Sequence, residues 1–164
     1  MKDDGARWLS PEEEQAWRRL QLMHLQLTAT LSHELAQDAG LSYQDYVVLA
    51  VLTAAPESRT RVTELGRTIG WEKSRVSHHI SRMSERGYVT RERCETDQRG
   101  AFVVVTKKGH KAIEAAAPGH VAGVRRHFVD LLTPQQLATI GAVADTVLVH
   151  LAASCVDDED DHRD

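Results

Sequence analysis

Cysteine is scarce in this chain, and the signatures of catalysis are missing from it. Among its 164 residues only Cys94 and Cys155 carry a thiol. They are far apart and unpatterned, which argues against a disulfide framework and against a Cys-x-x-Cys metal site. There is no Gly-rich phosphate loop, no His-Glu-x-x-His, no Gly-x-Ser-x-Gly and no conspicuous pair of carboxylates in an apolar setting, so no enzymatic chemistry is indicated. No run approaches the length of a membrane span, and residues 1–9 lack the apolar core of a signal peptide. The expectation is a cytoplasmic bacterial protein without membrane contact. Nine histidines raise a metal reading. His78 and His79, however, are adjacent on a helix and point about 100° apart. His110 and Glu114, one helical turn apart, make at most half a zinc site, to be completed by His24, His33 or His120. Without a convergent ligand set these are scattered surface histidines, and no metal or cofactor is expected.

One further absence is local and more informative. From Lys73 to Ser84 there is no acidic residue, whereas an ordinary solvated helix face mixes Glu with Lys. Residues 61–105 organise the chain around that stretch. Val62, Leu65, Gly66 and Ile69 recur at helical spacing, then Val76, Ile80 and Met83 do the same, and Gly87 follows as a stop. Helices this short must pack on each other and on something larger. Gly66 leaves no side chain where the two helices cross, Gly70 supplies the positive φ of the turn, and Val76 faces back into the core. The pattern is a helix-turn-helix. The outward residues of its second helix, Lys73, Ser74, Arg75, Ser77, His78, Ser81 and Arg82, are hydrogen-bond donors able to reach base edges or phosphates. His79 is placed with them as a DNA-binding candidate.

Past Gly87 the chain is rich in Val, Thr, Tyr and Phe, over residues 88–96 and 101–106, as strands are. Asp97-Gln98-Arg99-Gly100 joins the two with the residues of a type I turn. A β-hairpin after a helix-turn-helix makes a winged helix. Arg99 is expected to point into a minor groove, and Asp97 to accept hydrogen bonds within the turn and to pair with Arg91 or Arg93.

In these residues the chain resembles the MarR-type winged-helix transcriptional regulators. SRVSHHISRMSERGYVTR, the wing Asp97-x-Arg99-Gly100 and the helix opening Thr106-Lys107-Lys108-Gly109 carry the resemblance, which extends over nearly the whole chain. It implies a homodimer and a small anionic or aromatic effector in the crevice between winged module and dimer helices. Trp17, His33, Tyr43 and Trp71 are the aromatic and polar candidates for that crevice. The alternative for Trp71 is that it packs the helix-turn-helix. Some members of the family sense zinc. Its peroxide sensors use a cysteine near the N-terminus, which this chain lacks, so Cys94 is discounted as a redox sensor.

Charge distribution agrees with a polyanion-binding centre. Residues 59–108 hold 12 Lys or Arg against 6 Asp or Glu, whereas the remainder holds 8 against 18. In chain order, Ser10-Pro11-Glu12-Glu13 reads as a capped helix start. Trp17, Leu20, Leu27, Leu31 and Leu35 then form an apolar stripe, widened by Leu22 and Leu25, that ends near Gly40. Ser42 caps a second helix reaching about Ala55, Pro56 breaks it, and residues 60–62 suggest a third strand. Residues 107–117 are helical, Pro118-Gly119 is expected to kink or break the helix before 121–132, and Thr133 caps a last apolar helix. The acidic end is expected to be disordered.

The expected fold is mainly α with a small β-hairpin wing: a winged helix-turn-helix plus a helical dimerisation domain built from the first, fifth and sixth helices. Residues 1–40 form the N-terminal arm and dimerisation helix, 41–106 the DNA-binding module, 107–155 the C-terminal dimerisation helices and 156–164 the tail. The expected function is a sequence-specific regulator, taken as a repressor, that binds a double-stranded, pseudo-palindromic DNA operator as a homodimer. The alternatives are a winged-helix protein-interaction module and a zinc-responsive regulator of the same fold.

Overall fold

The computed structural model describes residues 7–93 and 101–160. Cys94, Asp97 and Arg99 lie outside the described residues. The chain divides into two compact units, Met1–Gly123 and Val124–Asp164.

In the first unit, helix α1 (Pro11–Ala39) begins with a capping box. The Ser10 hydroxyl accepts from the Glu13 backbone N–H at 3.2 Å, and the Glu13 carboxylate accepts from the Ser10 N–H at 2.7 Å. Gly40 closes the helix in the left-handed conformation, φ 63°. Helix α2 (Tyr43–Ala54) repeats the device with Ser42 and Asp45. A 3₁₀ turn at Pro56–Ser58 leads into strand β1 (Arg59–Arg61), one residue ahead of the position expected from sequence. The helix-turn-helix follows as α3 (Val62–Ile69) and α4 (Lys73–Glu85). Its turn works as the glycine spacing requires. Gly70 has φ 66°, and a Cβ on Gly66 would stand 3.1 Å from the Trp71 carbonyl oxygen and 3.3 Å from Val76 Cγ2.

Strands β2 (Val89–Arg93) and β3 (Ala101–Val105) complete an antiparallel sheet of order β1-β3-β2, with Arg61 opposite Phe102 and Arg91 opposite Val103. The core lies between α2, the helix-turn-helix and the sheet. Val48, Leu49, Leu52, Leu65, Ile80, Met83 and Val103 have no exposed surface, and each such side chain contributes roughly 1.5–3 kcal/mol by burial.

Helix α5 (Lys107–His127) runs through Pro118 as one helix, so of the expected kink or break the break does not occur. Packing on both sides of the proline holds it. Ile113 and Ala116 are buried before it and Gly123 after it, and a Cβ on Gly123 would come within 3.2 Å of Leu31 Cδ2 on α1. Proline's own φ is helical, and what this packing offsets is the missing hydrogen bond to the Glu114 carbonyl and the crowding of that carbonyl by the ring.

The second unit contains a 3₁₀ turn at Val129–Leu131 and helix α6 (Pro134–Asp160). Thr133 and Gln136 form a reciprocal cap at its start. The helix extends to Asp160, into the stretch expected to be a disordered tail. Residues Pro134–Ala153 are also long and apolar enough to cross a membrane, by length and composition alone. The sequence reading missed this because alanines, threonines and glycines interrupt the strongly apolar residues without making the stretch polar. Val143, Val147, Leu148, Val149 and Leu151 are all exposed in the single chain.

The hairpin is seated on α5 through Gly109, where a Cβ would fall 2.2 Å from the Tyr88 carbonyl oxygen and 2.8 Å from Val105 Cγ1. Gly109→Ala should therefore destabilise the protein by about 3 kcal/mol, the upper range of overpacking penalties. Gly119→Ala on the same helix, where the nearest atom is Asp38 Oδ2 at 3.7 Å, should be neutral or stabilising by about 0.5–1 kcal/mol. Urea melts of both variants against the parent check the pair.

Candidate nucleic-acid interface

The second helix of the helix-turn-helix presents one cationic face. Lys73, Ser74, Arg75, His78 and Arg82 are exposed on α4, while Val76, Ile80 and Met83 anchor its other side in the core. Residues 75, 78 and 82 follow helical spacing, so their side chains project in one direction. Ser77 and Ser81 are half-buried, and the Ser81 hydroxyl donates to the Ser77 carbonyl at 3.1 Å.

Two contacts brace this face. The Arg75 guanidinium lies over the Trp71 ring, 4.3 Å from its centroid, a cation–π stack that limits the arginine's wandering. Arg91 on β2 donates to the Ser77 carbonyl at 2.6 Å and ties the wing strand to the helix beside it. Asp97, proposed from sequence as a partner for Arg91 or Arg93, lies outside the described residues, as does Arg99. On the sheet, the guanidiniums of Arg59 and Arg61 stand over Phe102 at 4.5 and 5.5 Å.

His79 departs from the sequence reading. It is only 5% exposed and points inward, away from the face formed by Arg75, His78 and Arg82. The correction follows from helical angle. Residue 79 is three beyond Val76 and four short of Met83, both buried, so it belongs to the core stripe. Its ring meets Trp71 edge-on at 5.1 Å, so Trp71 does pack the helix-turn-helix.

Beneath His79 lies a feature the sequence reading did not anticipate. Asp45 on α2 has no exposed surface. It accepts hydrogen bonds from Arg86 at the end of α4 and from the Ser42 backbone N–H, and His79 Nε2 stands 3.1 Å from its Oδ1. That last approach is close in distance but out of line for a full hydrogen bond. Burial by itself would raise the Asp45 carboxyl pKa. The nearby His79 ring, at this distance though out of line, and the donors Arg86 and Ser42 outweigh it and hold the carboxyl far below the usual carboxylate range. Arg86 is raised in turn, first by its hydrogen bond to Asp45. The one available signal was Asp45 at the capping position three after Ser42. Nothing local pointed to an arginine 41 residues away.

The effector candidates do not converge. Trp17 and His33 are exposed positions of α1, Trp71 stacks with Arg75 and His79, and Tyr43 faces the His120 ring at 6.3 Å. His120 also stacks on Tyr46 at 4.3 Å, and burial lowers its pKa. A cavity of about 30 Å³ lies between α1 and α5, lined by Leu31, Glu34, Asp38, Gly119 and His120 among others. It has room for a water or two. Among the described residues, no three His, Cys, Asp or Glu side chains come together as a metal site.

This arrangement defines a winged helix with a cationic face on the second helix of its helix-turn-helix, and comparison with known proteins places it. The family described as Transcriptional regulator SarA/Rot matches residues 30–116. The crystal structure of Sco3205, a MarR family transcriptional regulator from Streptomyces coelicolor in complex with DNA, is 36% identical, with a TM-score of 0.82 over 88% of this chain and 91% of that one. AbsC, a MarR family regulator from the same organism, is 38% identical, with a TM-score of 0.83 over 90% of this chain and 99% of that one. A mutant MarR from E. coli complexed with operator DNA shares the fold at 19% identity, with a TM-score of 0.74 over 87% of this chain and 99% of that one. Comparison with individual curated proteins gives no match. The chain belongs to the MarR family of winged-helix transcriptional regulators, which are not enzymes.

Because the Asp45 carboxyl is held below its unfolded value of about 3.9, its contribution to stability is present above about pH 4. It should be lost as pH falls through the folded value. Asp45→Asn should cost about 1–3 kcal/mol at neutral pH, and its stability should fall less steeply in acid than the parent's. Denaturant melts at a series of acid pH values, run on both proteins, read this directly.

Proposed function

We propose that this protein is a sequence-specific repressor that binds a pseudo-palindromic double-stranded DNA operator as a homodimer in the cytoplasm. The observation that carries the reading is the exposed, acid-free face of Arg75, His78 and Arg82, with Lys73 and Ser74 at its N-terminal end, on a helix whose other side is anchored in the core. The resemblance to Sco3205, solved with DNA, supports it. On this reading α4 enters the major groove. Arg75, Ser77 and His78 contact base edges or phosphates, Ser74 and Arg82 flank them, and Lys73 contacts phosphate. Residue 99 of the wing reaches the adjacent minor groove.

Dimerisation is assigned to residues 1–40 and 107–155, and DNA binding to 41–106. Support comes from large apolar side chains exposed in the single chain, Trp17, Leu20, Leu22 and Leu25 on α1 and Val143, Val147, Leu148 and Leu151 on α6. Each helix by itself exposes several large apolar side chains, and a two-fold partner would cover them. A small anionic or aromatic effector completes the proposal. The space between α1 and α5 within one chain admits only water, so the effector's pocket is assigned to surfaces brought together by the second copy.

Selection of bound duplexes from a random pool tests the reading. The expected outcome is an inverted repeat with half-sites spaced by whole helical turns. Arg75→Ala or His78→Ala should cost about 1–3 kcal/mol and relax preference at one position of each half-site. Lys73→Ala should weaken all sequences alike and flatten the salt dependence. A protein that enriches no duplex would instead support the protein-interaction alternative. Arg99→Ala should reduce affinity without changing the melting temperature, more so on sites with A·T-rich flanks, as competition binding with the two kinds of flank will show.

A further inference from the structure

His79 is buried, yet it touches or underlies both arginines of the recognition face. Its Nδ1 is 3.3 Å from Arg82 Nη2. Its Nε2 is 3.1 Å from Asp45 Oδ1. Its ring meets the Trp71 ring edge-on at 5.1 Å, and Trp71 carries the Arg75 guanidinium on its face at 4.3 Å. One imidazole thus connects a carboxylate on α2 with two cations on α4.

The chemistry of these partners fixes the ring's protonation pattern. A guanidinium has five N–H donors and no acceptor, so Nδ1 must offer its lone pair to Arg82. A carboxylate only accepts, so Nε2 carries the proton toward Asp45. An Nδ1 that accepts from Arg82 leaves the ring's hydrogen on Nε2, on the side of Asp45. Asp45 is itself immobilised by Arg86 and by the cap of α2. Turned over, the ring would present N–H to Arg82 and a lone pair to the carboxylate, setting donor against donor and acceptor against acceptor. The groups facing His79 from its surroundings are Asp45 from α2, Arg82 from its own helix, and Trp71 with its stacked Arg75 from the interhelical turn.

We propose that His79 is a positioning residue for DNA recognition. Held in one tautomer by Asp45, it anchors Arg82 through Nδ1 and seats Trp71 beneath Arg75, so that both arginines are set in place before DNA arrives. The proposal rests on the DNA-binding reading above and deepens it. It names a residue that touches no DNA and acts through two that do. A long arginine side chain that is free in solution must be ordered on binding, and ordering it beforehand removes that cost. The effect belongs to affinity and to base preference rather than to fold stability alone.

The test combines one spectroscopic measurement with a mutant cycle. In the parent protein at mildly alkaline pH, long-range ¹H–¹⁵N correlation should show His79 with Nδ1 unprotonated and Nε2 protonated. A proton on Nδ1 would overturn the proposal without need of any variant. Affinity for the selected duplex is then measured for His79→Leu, Arg82→Ala and the double variant, alongside their melting temperatures. His79→Leu should lose about tenfold, the size of one good contact. The double variant should lose clearly less than the product of the two single losses, because the first change already frees Arg82. His79→Gln, which keeps an acceptor and a donor, should recover part of the affinity. Unchanged affinity and base preference in a folded His79→Leu, or losses that multiply independently, would overturn the positioning role while leaving DNA binding intact. Failure of the parent protein to select any duplex would overturn the DNA reading, and this assignment with it.

Discussion

A carboxylate with no exposed surface needs partners on every side, and in this protein that requirement joins α2 to α4. Asp45 is delivered by the cap of α2, and it draws in Arg86 from the C-cap of α4 and His79 from the middle of that helix. Unpaired, such a charge costs several kcal/mol to bury. Apolar packing of Val76, Ile80 and Met83 is strong but nondirectional, and by itself tolerates small rotations of the helix. The ionic contact does not. Together they fix both the depth and the rotation of α4, and hence which residues face outward.

The same logic extends to the sheet. Arg91 reaches from β2 to a carbonyl of α4, and Gly109 lets α5 press against the start of β2 and the end of β3. The wing strands are thereby held to the helix on one side and to α5 on the other. On the proposed reading, in which this surface meets a rigid duplex, DNA binding gains from this, because each independently moving part would have to be ordered again on contact. The basic middle of an otherwise acidic chain confines attraction for polyanions to this same region.

Much of this was legible in the sequence, and the parts that were not share a physical cause. Ser10 with Glu13, Gly40, Ser42, Gly66, Gly70 and Gly87 act within a few residues of themselves, so spacing alone reveals helix ends and the interhelical turn. The cationic face of α4 was legible for the same reason. His79 was misplaced because polarity was given more weight than helical angle: residue 79 shares a stripe with Val76 and Met83, and only a buried partner makes an imidazole tolerable there. That partner is Asp45, 34 positions earlier, and no local rule connects them. Pro118-Gly119 misled in the opposite sense. Local propensity predicts a kink or a break, and packing of Ala116 and Gly123 on either side keeps the helix unbroken. The apolar character of α6 was legible, but its suitability in length for a membrane was hidden by small residues among the larger ones.

The proline left inside α5 has a mechanical meaning. Pro118 has no N–H to give to the carbonyl of Glu114, so the helix is a rod with one rung missing. Stiffness along a helix comes from that ladder, and the missing rung makes this turn the most compliant point of α5. On one side stands the segment that carries Gly109 and the foot of the hairpin. On the other stand Gly119 and Gly123, against α1. A load applied where α5 meets α1 would be relieved first by flexure at this joint, and the foot of the wing would turn with it.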